Sequence, residues 1–135
     1  ARSEHLDLPD HAIDPALTGR IVARAGQTAW QVPNFLKFFA GATTFPWRSQ
    51  GAWIGAQIAR IHGLDKEETA HAAAACLRPD LYRKHLAKSG ADMPGASAKI
   101  EGALRHATAV ASSRGDMILG ADRFFDGKTS DFGPV

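Results

Sequence analysis

The fold of this chain is decided by residues 49–68, which read SQGAWIGAQIARIHGLDKEE. Large apolar residues recur there at helical spacing and form one face: Trp53, Ile54, Ile58 and Ile61. Small residues four positions apart form a second face: Gly51, Gly55 and Ala59. Because small side chains at this spacing let another backbone come close, we predict a helix from Ser49 to His62 that belongs to the core and makes a tight internal crossing.

A second helix is predicted to begin after Asp65, which is a good N-cap residue. Glu68 follows three residues later, where its side chain can bond back to the Asp65 amide. The helix should run through the alanine tract until Pro79 stops it. Cys76 lies in that tract and is expected to be a buried, small apolar filler. As the single cysteine, it excludes a disulfide within the chain.

Helix-start and helix-stop residues predict further helices on both sides of this pair. They run from Asp14-Pro15 to Gly26, from Asn34 to Ala40, from Asp80 to Lys88 and from Ser97 to Ser113, with a short turn after Asp116. We therefore expect an all-α fold, an irregular small helical domain of four to six helices with extended N- and C-terminal arms. The expected boundaries are an acidic extended arm over 1–14, a single helical domain over 15–126 and a polar C-terminal tail over 127–135.

Composition and charge narrow the range of partners. The chain of 135 residues is 44% hydrophobic and 22% charged, as is usual for one globular domain. Its formal net charge is only +2, and its cations are spread along the sequence, so we expect no nucleic-acid partner. No run of residues approaches the roughly 18 apolar positions that a membrane-spanning helix needs.

The stretch from Pro15 to Leu64 holds five cations and no acidic residue in fifty positions. Seven of the eleven aromatic residues of the chain lie between Trp30 and Trp53. A basic aromatic stretch suits burial against a protein surface or an anionic lipid surface, and the alternative is that these aromatics form the core of the domain itself. The predicted partner-binding residues are Trp30, Phe35, Phe38, Phe39, Phe45, Trp47 and Arg48.

Candidate catalytic and metal-binding patterns are sparse. Glu68 and His71 have the E-x-x-H spacing that places two metal ligands on one helical face. Di-iron helical bundles need two such motifs and two further glutamates, and this chain has one motif. Gly127-Lys128-Thr129 resembles the end of a phosphate-binding loop, but Asp122 occupies the position of its first glycine. We therefore predict no catalytic residues, no metal site and no cofactor.

These patterns favour a non-catalytic accessory or structural subunit of a larger multiprotein assembly. Other protein subunits are the expected partners, and anionic lipid at a membrane surface is a second possible partner. The chain begins at Ala1, which either removal of an initiator methionine or cleavage of a targeting peptide would explain. A membrane-associated, mitochondrial energy-converting complex is the expected setting, with a cytoplasmic location as the alternative. Two other functions stay open: a small helical enzyme with a metal site at Glu68 and His71, and an adaptor domain that binds a partner helix.

Overall fold

The computed structural model describes residues 7–33 and 35–133. The chain divides into two compact units, Ala1–Ala40 and Gly41–Val135. The first unit contains helix α1 (Asp10–Thr18) and strands β1 (Arg20–Ile21) and β2 (Trp30–Gln31). The second contains helices α2 (Arg48–His62), α3 (Lys66–Cys76) and α4 (Pro79–Leu86), followed by strands β3 (Thr108–Ala109) and β4 (Ile118–Leu119). The two strands of each unit pair with each other in antiparallel orientation.

Helices α2 and α3 pack closely through the small residues of α2, which confirms the predicted tight crossing. A Cβ atom on Gly51 would lie 2.7 Å from the carbonyl oxygen of Ala73. A Cβ atom on Gly55 would lie 2.6 Å from the carbonyl oxygen of Thr69. Because these obstacles are backbone atoms of α3, a larger residue at either position would push the two helices apart.

Most of the opposite face of α2, made of large apolar residues, is exposed in the described structure of the second unit. Ile54, Ile58 and Ile61 are all exposed, whereas the small residue Ala59 is buried. The prediction that this helix belongs to the core is therefore correct, but the face that it buries is the one made of small residues. Close backbone approach brings many atoms of α3 into van der Waals contact at once, and small side chains permit that approach.

The expected all-α fold is wrong. Helices make up 34% of the described residues, the second unit contains three of them, and two small antiparallel sheets are present. The largest error is the predicted helix from Ser97 to Ser113, a region that instead contributes β3. Glu101 forms an antiparallel bridge with Ser130, and Gly102 beside it has a left-handed φ of 81°. These two backbone features are incompatible with a helix through the region.

The first unit also differs from the prediction. Helix α1 begins at Asp10, so residues 10–14 of the expected extended arm are helical, and Pro15 lies inside the helix rather than at its start. Gly19 ends the helix with a φ of 69°, seven residues before the expected stop at Gly26. No helix forms over residues 35–40, and Asn34, the predicted helix start, lies outside the described residues. A short segment of bulky aromatics is a weak helix former without a surface to pack on.

Three smaller predictions about the second unit need correction. Arg78 is the N-cap of α4, and the helix ends at Leu86 instead of Lys88. The residues after Asp116 form strand β4 rather than a helical turn. Cys76 is exposed, because α3 meets α2 through a different face of the helix, and its thiol donates to the carbonyl oxygen of Ala72 at 3.4 Å.

Candidate functional site

Residues 30–39, called here the exposed aromatic segment, carry four aromatic side chains that face solvent. The exposed fractions are 61% for Trp30, 51% for Phe35, 63% for Phe38 and 84% for Phe39. Leu36 and Lys37, which lie among the phenylalanines, are exposed as well. Folded proteins expose single apolar side chains routinely, but a run of consecutive ones is uncommon without a binding role.

A short hairpin positions the start of this segment. Strands β1 and β2 pair with Arg20 opposite Gln31 and Ile21 opposite Trp30. The amide of Val32 donates to the carbonyl oxygen of Gly19 at 2.8 Å. A Cβ atom on Gly19 would lie 2.6 Å from the carbonyl oxygen of Val32, so this turn requires glycine both for its φ and for space. The hairpin thus holds Trp30 on a defined backbone while its indole stays in solvent.

Three of the predicted partner-binding residues lie elsewhere, in the second unit. Phe45 and Trp47 are only 3% and 4% exposed, and Arg48 is the half-buried first residue of α2. The amide of Arg48 donates to the carbonyl oxygen of Ser97 at 2.9 Å. A partner cannot reach the two buried rings in this fold. The structure therefore leaves Trp30, Phe35, Phe38 and Phe39 as the exposed members of the predicted set and adds Leu36.

Phe45, Trp47 and Tyr82 form what is called here the buried aromatic cluster. The ring centroids of Phe45 and Trp47 are 4.9 Å apart, and those of Phe45 and Tyr82 are 5.4 Å apart, both in edge-to-face orientation. The guanidinium of Arg83 lies over the Phe45 ring at 5.0 Å. These are favourable aromatic and cation–π geometries, and they account for the burial of Phe45 and Trp47 within the unit.

A buried polar cluster lies beside these rings and was not predicted from the sequence. The Ser49 hydroxyl donates to Oε1 of Glu101 at 2.6 Å and accepts the Lys99 amide at 3.1 Å. The Lys99 ammonium lies 2.5 Å from a carboxylate oxygen of Glu101 and 2.5 Å from one of Asp122. Every polar group of the cluster thus has a partner, and the cluster fastens residues 99–122 to the start of α2. Its members are up to 73 positions apart in the chain, so no local pattern could reveal it.

Glu68 and His71 both lie in α3, and Glu68 belongs to its capped first turn. The Glu68 amide donates to Oδ1 of Asp65 at 2.8 Å, which confirms the predicted N-cap. Both side chains of the pair are exposed, and the His71 ring lies 5.0 Å from the Phe132 ring, centroid to centroid. Over residues 7–33 and 35–133, no group of three or more histidine, cysteine or acidic side chains is placed to hold a metal ion.

Comparisons with known proteins give the chain no relative. No protein-family model matches it, and neither a curated protein nor a solved structure does. None of the helices in the described part of the chain is long and apolar enough to cross a membrane.

Proposed function

We propose that the chain is a non-catalytic accessory subunit that joins a larger protein assembly through the exposed aromatic segment. The observation that carries the proposal is the run Phe35-Leu36-Lys37-Phe38-Phe39, in which every residue is exposed and four are large and apolar. Fully burying a phenylalanine side chain contributes about 1.5–3 kcal/mol. A partner that covers this run would therefore gain a large driving force from a few residues.

The residue types of the segment support a protein partner. Tryptophan and phenylalanine are enriched at the centres of protein interfaces, where a few aromatic anchors supply most of the binding energy. Trp30 and the three phenylalanines of the segment are of this kind. Their side chains have few rotatable bonds, so ordering them at an interface costs little conformational entropy.

The charge of the first unit favours a protein over an anionic membrane. Its described residues carry three cations and three aspartates: Arg20, Arg24 and Lys37 against Asp7, Asp10 and Asp14. Electrostatic attraction to an anionic leaflet needs a cluster of about four to eight Lys or Arg residues. Lys37 is the one cation within residues 30–39, so attraction to lipid headgroups would be weak.

Native co-purification of the full chain, with a matched pair of variants, tests the proposal. The double variant Phe38→Ser with Phe39→Ser should lose a stoichiometric protein partner while keeping the thermal unfolding profile of the wild type. Ile61→Ser with Ile118→Ser removes two exposed apolar side chains from the second unit and should keep the partner.

Two results would contradict the proposal. One is a partner that stays bound to the Phe38, Phe39 double variant. The other is co-flotation of the wild type, but not of that variant, with vesicles of phosphatidylcholine and phosphatidylserine in the absence of any protein partner, which would make the segment a lipid anchor. The predicted mitochondrial, membrane-associated setting remains a proposal, and the identity of the co-purified subunits tests it.

A further inference from the structure

A groove in the second unit lies between α2 and residues 124–130. It has a volume of about 760 Å³, and small-molecule sites typically have volumes of about 300–1,000 Å³. Helix α2 and the residues after it contribute Trp53, Arg60 and Lys66 to the lining, and the opposite wall contains Phe124, Phe125 and Lys128. This groove belongs to a different unit from the exposed aromatic segment, and a ligand could bind there whether or not that segment binds a partner.

The wall formed by residues 124–130 is held in place without a ligand. Glu101 and Ser130 exchange two backbone hydrogen bonds of 2.9 Å each. The amide of Gly127 donates to the carbonyl oxygen of Phe124 at 3.0 Å and closes the turn. A Cβ atom on Gly102 would lie 2.7 Å from the Phe124 ring and 2.8 Å from the Lys128 carbonyl oxygen, so the wall packs directly on the backbone there. A preformed wall lowers the ordering cost of binding.

The groove offers flat aromatic surface. The rings of Trp53 and Phe124 both line it and stack on each other, with centroids 5.1 Å apart and planes inclined by 16°. Phe125, the next residue, is fully exposed at its edge. Aromatic rings in such positions favour a ligand with a flat apolar body, which can stack on one of them or meet it edge-on.

The charged residues of the groove favour an anion. Three cations, Arg60, Lys66 and Lys128, line it together with a single acid, Asp126. The Lys128 ammonium lies 3.6 Å from the Asp126 carboxylate, so these two charges offset each other. Within residues 7–33 and 35–133, Arg60 and Lys66 form no ion pair, which leaves their positive charges available to a ligand.

We propose that this groove binds a small organic anion with a flat aromatic body, with the ring against Phe125 and the stacked pair and the negative group facing Arg60 and Lys66. The aromatic surface supplies apolar contact, and the two cations select for negative charge. The site is partly open to solvent, so the charge contribution should weaken as salt is added.

Titration of the full chain with 8-anilinonaphthalene-1-sulfonate tests the proposal, because this probe combines an aromatic body with one negative charge. The three tryptophans, Trp30, Trp47 and Trp53, give separate indole N–H signals in a proton–nitrogen NMR spectrum. The Trp53 signal should shift in a saturable way, whereas the Trp47 signal from the buried aromatic cluster should not. The uncharged analogue N-phenyl-1-naphthylamine should bind at the Trp53 site several-fold more weakly.

Charge variants locate the anion-binding part of the groove. Arg60→Gln and Lys66→Gln should each weaken probe binding, read at Trp53, by about two- to fivefold, the range for solvent-exposed charge pairs. Arg105→Gln and Lys84→Gln remove the same charges from exposed positions outside the groove and should leave the affinity unchanged.

An aromatic variant tests the apolar part. Phe125→Ala should weaken binding by about two- to tenfold, as expected for the loss of one aromatic contact. Ile118→Ala, at another exposed apolar position, should have no effect. The proposal is overturned if the Trp53 signal does not shift, if the neutral analogue binds as tightly as the anion, or if the control variants weaken binding as much as the groove variants.

Discussion

The exposed aromatic segment and two of the three rings of the buried aromatic cluster, Phe45 and Trp47, come from one acid-free stretch of sequence and have the same kinds of side chain. Only residues 40–44 separate Phe39 from Phe45. Yet Phe39 is among the most exposed aromatic residues and Phe45 is almost fully buried. The difference shows that aromatic content and local charge do not distinguish a binding surface from a core.

Residues that lie far along the sequence account for the burial of Phe45 and Trp47. Tyr82 supplies the second ring against Phe45, and the Lys99 ammonium lies 5.9 Å from the centre of the Trp47 ring. The Thr44 hydroxyl and the Tyr82 hydroxyl form a hydrogen bond of 2.8 Å beside them. The buried aromatic cluster is therefore completed by residues 35 or more positions later in the chain, whereas most of the large side chains of the exposed aromatic segment remain in solvent.

The largest expected effect that separates the two regions is on stability. Trp47→Ala should lower the free energy of unfolding of the second unit by about 3–5 kcal/mol, because it leaves a cavity in the core. Trp30→Ala removes an exposed indole and should change stability by no more than about 0.5 kcal/mol. Urea unfolding followed by helical circular dichroism measures both. Equal losses for the two variants would contradict the division into core and surface.

The helical pair α2 and α3 could be predicted from the sequence because its signals are local. The Asp65 cap and the four-residue spacing of Gly51 and Gly55 lie within residues 49–68, and both are seen in the structure. The helix predicted over 97–113 failed for the opposite reason. Its apolar spacing is helical, but Glu101 pairs with Ser130, and this long-range backbone pairing overrides a weak local preference.

The candidate site could be predicted only in part. The aromatic and acid-free character of the stretch identified where a surface should lie. It could not separate Trp30 and Phe39 from Phe45 and Trp47, because the rings and charges that bury the latter pair lie far along the chain. Leu36 was not predicted because it is not aromatic, although its position between Phe35 and Lys37 was a usable signal.

The second-largest expected effect concerns Arg83, whose guanidinium lies over the Phe45 ring of the buried aromatic cluster. The Arg83 guanidinium donates to the carbonyl oxygens of Pro94 at 2.9 Å and Ala96 at 2.7 Å and to the Ser97 hydroxyl at 3.0 Å. Arg83→Gln removes this charged fork and should cost about 1.5–3 kcal/mol, the range for hydrogen bonds to charged groups. Urea unfolding measures the loss.

Arg83→Lys is the matched control for this prediction. It keeps the positive charge near Phe45 but cannot reproduce the planar fork of donors. Its stability should therefore lie between those of the wild type and Arg83→Gln. If Arg83→Gln is as stable as the wild type, the hydrogen bonds from Arg83 to the carbonyl groups at residues 94–96 do not stabilise the fold around the buried aromatic cluster.

The smallest expected effect is a pH dependence of stability that arises at the start of α4. This helix contains Tyr82 and Arg83, which pack on Phe45 in the buried aromatic cluster. The Arg78 guanidinium donates to both oxygens of Asp80, at 2.8 Å and 2.6 Å. This hydrogen bonding lowers the pKa of Asp80 from 3.8 to about 2. Because the pKa is lower in the folded state, the pair contributes stability above pH 3.8 and loses it as the pH falls toward 2.

Carbon-13 NMR of the Asp80 carboxyl group measures this pKa directly. In Arg78→Gln, the titration midpoint should rise toward 3.8, because the charged donor is gone. The indole N–H signal of Trp30, which belongs to the first unit, should be the same in Arg78→Gln as in the wild type. A wild-type midpoint of 3.8 would show that Arg78 and Asp80 do not pair in solution, and α4 would then begin without this ion pair to support the residues that cover Phe45.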